Sequence, residues 1–405
     1  MSTKQKGILS YDAFSKTVDE ARIRTRSGAL ITLGCVFTLI YLILSEWFTF
    51  NTVVIRPELV VDRDRALKLD LNLDITFPNM PCDVMSLDIM DVSGELQLDL
   101  VNVGFTKTRL DSQGNAISES VLTVGDDEVE KVAEVDAEYC GPCYGSKDQG
   151  QNEGKPRSEQ VCCDDCEAVK KSYAAVGWAF FDGENVEQCE REGYVARVKN
   201  SIAAKEGCRV KGTAQLNRIN GNLHFAPGAS FTSPQRHVHD LSLYNKIEDQ
   251  EVSFKHEINH FSFGPAVKQL EKSASNPLDG QIKTIGGKQH LYSYFLKIVP
   301  TRFEFLNGTV LETNQFSTTH HDRPLFGGRD EDHPNTLHAR GGIPGLFFNF
   351  EMSAVKVINR EQWSDTWGGF LLNVISAIGG IVTVGAVLDK GVYAANKAIK
   401  GKKEK

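Results

Sequence analysis

The chain has 405 residues, 41% hydrophobic and 24% charged, with a formal net charge of −8. That length allows two ordinary domains or one large β domain. The acidity excludes a nucleic-acid-binding role, which calls for a basic face.

Residues 1–26 are short and polar and include Lys16, Arg22, Arg24 and Arg26. Residues 27–45 follow without a single charge. About 20 such residues cross a bilayer, so a membrane helix is expected over residues 27–48. The run begins too far from residue 1, and is too long, for a cleaved signal peptide; it reads as an uncleaved anchor. From Leu67 the pattern alternates between apolar and polar residues (LKLDLNLDITF, then LDIMDVSGELQLDLVNVGF), which predicts half-buried strands. The acidic stretch from Asp111 to Asp136 reads as a loop. A cysteine-rich insert spans residues 140–208. Within it, Val169, Tyr173 and Val176 are spaced as on a helix, and a second helix is expected over 185–199. Strand patterns return in CRVKGTAQLNRINGNLHFAPG and continue to GLFFNFEMSAVKVI; Asn307-Gly308 between two of them predicts a hairpin. The fold class expected is a mainly antiparallel β-sandwich bearing a small disulfide-rich helical insert. No repeat of 20 to 50 residues is present.

A second uncharged run, Thr366 to Leu388, predicts another membrane helix, leaving 389–405 as a tail with six lysines. Both outer flanks are basic, and basic flanks stay cytosolic, so residues 49–365 are expected in a lumen or outside the cell. Residues 1–28 carry +3 and residues 389–405 carry +4, so the remainder carries −15 of the total −8. Asn373, Ser376, Gly380 and Thr383 share one face of the second helix, a pattern that admits a partner helix.

Nine cysteines are present, with Cys35 in the first apolar run. The other eight, Cys82, Cys140, Cys143, Cys162, Cys163, Cys166, Cys189 and Cys208, lie in the enclosed region. In an oxidising lumen they predict up to four disulfides of unspecified pairing. Cys140-Gly141-Pro142-Cys143 carries a redox tetrapeptide, but no strand precedes it and turn-like residues follow. Cys140-x2-Cys143 with Cys163-x2-Cys166 has zinc-ribbon spacing; the adjacent Cys162 adds a fifth candidate ligand, and disulfides are the leading reading. His256-Glu257-Ile258-Asn259-His260 matches a zinc-protease motif, which needs a helix. The local pattern is that of a strand, where positions i and i+4 lie about 13 Å apart and cannot share a metal. No metal ligand set, cofactor or catalytic constellation is therefore assigned, and the chain reads as a non-enzyme. All ten histidines lie between His224 and His338, which permits pH sensing near neutrality. Asn307-Gly308-Thr309 is the single glycosylation acceptor triplet. Lys402 and Lys403, fourth and third from the end, resemble the dilysine signal read by the retrograde vesicle coat.

Several long strings carry a resemblance across nearly the whole chain. They include Arg22-Ile23-Arg24-Thr25-Arg26-Ser27-Gly28, Arg56-Pro57-Glu58-Leu59-Val60-Val61-Asp62, and Ile75-Thr76-Phe77-Pro78-Asn79-Met80-Pro81-Cys82. Others are the Cys140–Cys166 block with Gly177-Trp178-Ala179-Phe180-Phe181-Asp182-Gly183, the segment Asn217 to Gly228, and Arg340-Gly341-Gly342-Ile343-Pro344-Gly345. On these the chain resembles the larger subunit of the Erv retrograde-receptor pair, in the family of ER-vesicle and ER–Golgi intermediate compartment proteins. The resemblance implies a two-span protein with a lumenal β-sandwich, cycling between ER and early Golgi beside a smaller sister subunit. It further implies binding of escaped ER-resident cargo at lower pH, with Cys140, Cys143, Cys162, Cys163 and Cys166 marking the cargo-binding region. Vesicle coat subunits would read the C-terminal lysines; a forward-coat signal would fall at Val392-Tyr393, which lacks a first aromatic. The alternatives are a membrane-anchored lumenal thiol-disulfide oxidoreductase and a structural subunit of a vesicle membrane complex.

Overall fold

A computed structural model describes residues 26–63, 68–92, 101–122, 139–180, 182–233, 236–249, 251–265, 276–325, 328–329, 337–338 and 341–403. The basic stretch before Arg26 and residues 404–405 lie outside these. The helices are α1 (Arg26–Phe50), α2 (Cys166–Ala175), α3 (Glu187–Arg191), α4 (Tyr194–Ala203), α5 (Ser242–Lys246) and α6 (Trp367–Lys403). The strands are β1 (Val53–Val61), β2 (Lys68–Phe77), β3 (Met85–Asp91), β4 (Val101–Leu110), β5 (Ala116–Leu122), β6 (Gly207–Asn217), β7 (Gly221–Pro227), β8 (Ser230–Ser233), β9 (Arg236–His239), β10 (His256–Phe263), β11 (Gln281–Lys283), β12 (His290–Glu304), β13 (Val310–Pro324), β14 (Gly328–Arg329), β15 (Leu337–His338), β16 (Gly345–Met352) and β17 (Val355–Trp363). Two compact units result, one of residues 57–360 and one combining the two chain ends.

In the β unit, one hydrogen-bonded path runs β3-β7-β16-β12-β13-β10-β2-β6-β4-β5. The link between β13 and β10 is a single bridge, Phe263 to Asn314. The path folds over at that bridge. Phe348 of β16 stacks on Phe261 of β10 at 4.7 Å, and Phe77 of β2 meets Phe225 of β7 at 5.1 Å. Strands several places apart in the ladder touch face to face, so the sheet is two packed layers. Alternation explains the inner face: Leu69, Leu71, Leu73, Ile75 and Phe77 of β2 are all buried, with Lys68 and Asp70 exposed between them. The Asn307-Gly308 turn joins β12 and β13 as expected, with Gly308 at φ +81° and Glu304 opposite Val310.

Two elements depart from the sequence reading. Residues 116–122, assigned to a loop, form β5 against β4. Ile117 and Val121 are exposed there, so this strand lacks the buried alternation that betrays a strand. Its register is set by the preceding turn, where Asp111 Oδ1 accepts the Gln113 and Asn115 amides, each at 2.8 Å. The helix expected over 185–199 is broken in two, because Gly193 takes φ +68° between α3 and α4. The strand ladders are mostly antiparallel, but β12 pairs in parallel with both β16 and β17.

The unit of the chain ends contains two helices, Ser27–Phe50 and Trp367–Asn396, long and apolar enough to cross a membrane. They pack on one another. Asn373, expected to face a partner helix, donates its Nδ2 to Glu46 Oε1 of α1 at 2.5 Å. Gly385 marks a close approach of the two helices: a Cβ there would lie 2.7 Å from Cys35 Sγ. Gly380 has open space instead. Trp47, Phe50, Trp367 and Phe370 form one aromatic group, Phe50 and Trp367 at 4.7 Å, of the kind that marks a membrane–water interface.

Candidate functional site

The insert is built on disulfides. Cys140 bonds Cys162, Cys143 bonds Cys163, Cys166 bonds Cys189, and Cys82 bonds Cys208. All eight enclosed cysteines are thereby paired, which fulfils the expectation of four disulfides. Cys140 and Cys143 do not bond each other, so the tetrapeptide is not closed as an oxidoreductase closes it. The zinc-ribbon spacing likewise has no thiolates left to offer.

Two strips of chain, 140–143 and 162–163, are held side by side. Cys163 N–H donates to the Gly141 carbonyl at 3.1 Å. A Cβ on Gly141 would stand 2.1 Å from the Cys163 oxygen, so only glycine fits. Two glutamines tie the strips further. Gln149 Nε2 donates to the Gly141 and Val161 carbonyls, and its Oε1 accepts the Cys143 amide. Gln188 Nε2 donates to the Pro142 and Cys163 carbonyls. Helix α2 begins with Asp165 accepting the Ala168 amide at 2.7 Å, and buries Cys166, Val169 and Ser172 along one side. Glu192 accepts the Cys166 amide; burial and the neighbouring Asp165 raise its carboxyl above the usual range, while that amide bond and Arg191 and Arg197 oppose the rise.

The five candidate cargo-binding cysteines divide by burial. Cys143, Cys163 and Cys166 are buried, whereas Cys140 and Cys162 are half-buried. The side chains that do reach outward are Val161 (38% exposed), Val176 (46%) and Trp178 (46%). Tyr173 is half-buried and supports Trp178 edge-on at 5.6 Å. The cysteines therefore act as framework, and the apolar surface belongs to their neighbours. Lys402 and Lys403 end α6. Asn307 sits exposed at the hairpin tip, its Oδ1 accepting the Thr309 amide at 2.9 Å.

His256 and His260 lie in β10, as the strand reading requires. His256 donates from Nδ1 to the Phe254 carbonyl and accepts the Tyr294 hydroxyl at Nε2, each at 2.9 Å. His260 contacts Asp279 instead. Burial pushes His256 down to about 4, and lowers His290 as well.

Sequence reasoning missed one grouping. Asp88 of β3, His224 of β7, and His237 and His239 of β9 converge within the protein. His239 Nε2 is 3.0 Å from both His224 Nε2 and His237 Nε2. Asp88 Oδ2 lies 3.4, 3.6 and 3.8 Å from His239, His237 and His224. Asp88 is fully buried, and His224 is 3% exposed. Burial pushes His224 down to about 3 and His239 to about 4, with the nearby Asp88 opposing the fall in both. The Asp88 carboxyl is held below the usual carboxylate range: burial opposes its charge, but the hydrogen bond with His237 and the nearness of His239 and His224 outweigh that. The available signal was His237-x-His239, a spacing that puts both rings on one side of a strand.

Residues 143–389 match the family model described as endoplasmic reticulum vesicle transporter. Residues 8–98 match the Endoplasmic Reticulum-Golgi Intermediate Compartment model. The chain is 53% identical over 417 residues to the ER-derived vesicles protein ERV46 of Saccharomyces cerevisiae, covering 99% of both chains. It is 37% identical over 404 residues to the probable endoplasmic reticulum-Golgi intermediate compartment protein 3 of Dictyostelium discoideum, covering 98% of this chain and 97% of that one. The crystal structure of Erv41p aligns with 75% of this chain and 99% of its own at 18% identity and a TM-score of 0.38, too distant to argue from. The chain belongs to the family of endoplasmic reticulum vesicle transporters and ER–Golgi intermediate compartment proteins.

Proposed function

We propose that this protein is a membrane-anchored receptor subunit cycling between ER and Golgi, which captures escaped ER residents and returns them. The observation that carries the reading is that the insert, held by three disulfides, exposes apolar side chains at Val161, Val176 and Trp178. A fixed aromatic with aliphatic neighbours is the kind of surface that anchors a protein partner with little ordering cost. In this arrangement Cys140, Cys143, Cys162, Cys163 and Cys166 hold the contact surface, and a smaller sister subunit of the same topology completes the receptor. Both termini face the cytosol, where Lys402 and Lys403 recruit the retrograde coat. A name that ties a relative 53% identical to ER-derived vesicles supports this traffic.

Release in the ER and capture in the more acidic Golgi require binding that strengthens as pH falls. Moving from mostly free to mostly bound takes several kcal/mol of differential affinity, and one histidine shifted by one unit supplies about 1.4. Several histidines must act together. His224, His239 and His256, pushed down to between about 3 and about 4 chiefly by burial, do not serve.

The test is recovery of lumenal residents with the purified full chain at pH about 6.5 and about 7.2. A receptor enriches them at the lower value, and Trp178→Ala with Val176→Ser lowers that recovery while the sister subunit is retained. Equal recovery of nothing but the sister subunit at both values overturns the reading in favour of a structural subunit.

A further inference from the structure

We propose that Asp88, His224, His237 and His239 form a buried, four-coordinate site for a divalent transition cation of the zinc type. The donor atoms fit. Tetrahedral zinc with bonds of 2.0–2.1 Å spaces its ligand atoms about 3.3 Å apart; five of the six distances here run from 3.0 to 3.8 Å, and all four atoms lie within 4.8 Å of one another. Three imidazoles and one carboxylate are a donor set suited to zinc.

Hydrogen bonding alone does not satisfy the cluster. Asn222 uses its amide nitrogen on Asn349, so the Asn222 Oδ1 facing His224 Nδ1 at 2.7 Å accepts that ring's hydrogen. His224 Nε2 is then a bare lone pair. His239 Nε2 has either one hydrogen or one lone pair, yet it stands 3.0 Å from two imidazole nitrogens. With a hydrogen it serves His224 and leaves His237 unserved. With a lone pair it serves His237 and opposes His224. Neutral rings therefore leave one of the two close contacts without a hydrogen bond, whereas a central cation uses every lone pair at once. His237 Nδ1 is buried without a hydrogen-bond partner among the described residues, so nothing but the cluster fixes that ring by hydrogen bonding. The surroundings complete a ligand shell: Asn222 orients His224, and the Ser230 hydroxyl donates to Asp88 Oδ1 at 2.8 Å.

All four positions are taken by protein, so the site is structural rather than catalytic. Its place in the fold states its role. β3 is the last strand of the hydrogen-bonded path, and β8–β9 is a separate two-stranded ribbon. The cation clamps that ribbon to the end strand. The clamp bears on the insert, because α2 packs against β8 and Asp240, next to His239, accepts the Phe180 amide at 2.6 Å. The site stands whether or not the protein carries cargo.

The experiment uses the full chain, purified in detergent without a polyhistidine tag, stripped with a chelator and reloaded with zinc alone. Elemental analysis should find about one zinc per chain, matching one four-ligand site. His237→Gln and Asp88→Asn should each lose most of it while keeping all four disulfides on a non-reducing map. If these variants misfold, the stripped wild-type chain with cobalt(II) decides. Strong visible absorption of tetrahedral cobalt, erased by zinc, supports the site. A pale octahedral spectrum, or zinc retained in full by a folded His237→Gln chain, overturns it.

Discussion

Removing the Cys82–Cys208 disulfide should destabilise the β unit far more than removing Cys140–Cys162. Cys82–Cys208 closes a loop of 126 residues. Loop-closure entropy assigns that about 4.9 kcal/mol at 25 °C, and about 4.5 once the disulfides nested inside shorten the effective loop. Cys140–Cys162 spans 22 residues and alone would count about 3.4 kcal/mol, but Cys143–Cys163 already joins the same two strips. The remaining ring is about five residues, worth about 2 kcal/mol. For a unit of roughly 300 residues, melting entropy of about 2.1 cal/mol/K per residue converts these to drops of about 7 °C and 3 °C. Burial widens the gap, since Cys82 and Cys208 are both buried and alanines there leave voids, whereas Cys140 and Cys162 are half-exposed. Lys107 Nζ donates to the Cys82 and Met85 carbonyls and keeps that turn in place in the variant. The assay is thermal unfolding of the full chain in detergent, comparing Cys82→Ala/Cys208→Ala with Cys140→Ala/Cys162→Ala. A Cys140/Cys162 variant that melts as low as the other refutes the reasoning.

Acid should weaken the fold through His256. Its folded pKa of about 4 lies below the unfolded value near 6.5, so its contribution is complete above pH 6.5 and is lost as pH falls towards 4. The loss is about 1.4 kcal/mol per unit and roughly 3 in all; pH-dependent urea midpoints should flatten in His256→Gln, and an unchanged slope refutes it. Lys402→Ala with Lys403→Ala should shift the steady-state distribution towards the Golgi by cell fractionation; unchanged residence without the sister subunit would sink the coat signal. Protease added to sealed microsomes should spare a tag near residue 250, and its destruction would invert the proposed topology.

What could be read before the fold depended on how local the cause was. β2 was legible because Leu69, Leu71, Leu73, Ile75 and Phe77 alternate with polar residues and the structure buries all five. β5 was not, because Ile117 and Val121 face outward and no core imposes a period on it. The split between α3 and α4 turns on a single positive φ at Gly193, which composition does not announce. Disulfide pairing was open for a similar reason: eight cysteines carry no label for their partners. The histidine cluster is the extreme case. Asp88, His224 and the His237/His239 pair come from three strands, and their meeting depends on β3 lying against β7 in register, with Asp88 opposite His224. Local sequence contained half of that site, and strand order supplied the rest.

The paired cysteines of the insert also set a problem for biosynthesis. Native links join Cys140 to Cys162 and Cys143 to Cys163, with separations of 22 and 20. The crossed arrangement, Cys140 to Cys163 and Cys143 to Cys162, has separations of 23 and 19, and an unfolded chain forms either set at nearly equal entropic cost. Discrimination comes only after Gly141 has seated against Cys163 and Gln188 has bridged both strips. Newly made chains will therefore pass through scrambled isomers, and their maturation will depend on catalysed thiol exchange rather than on oxidation alone.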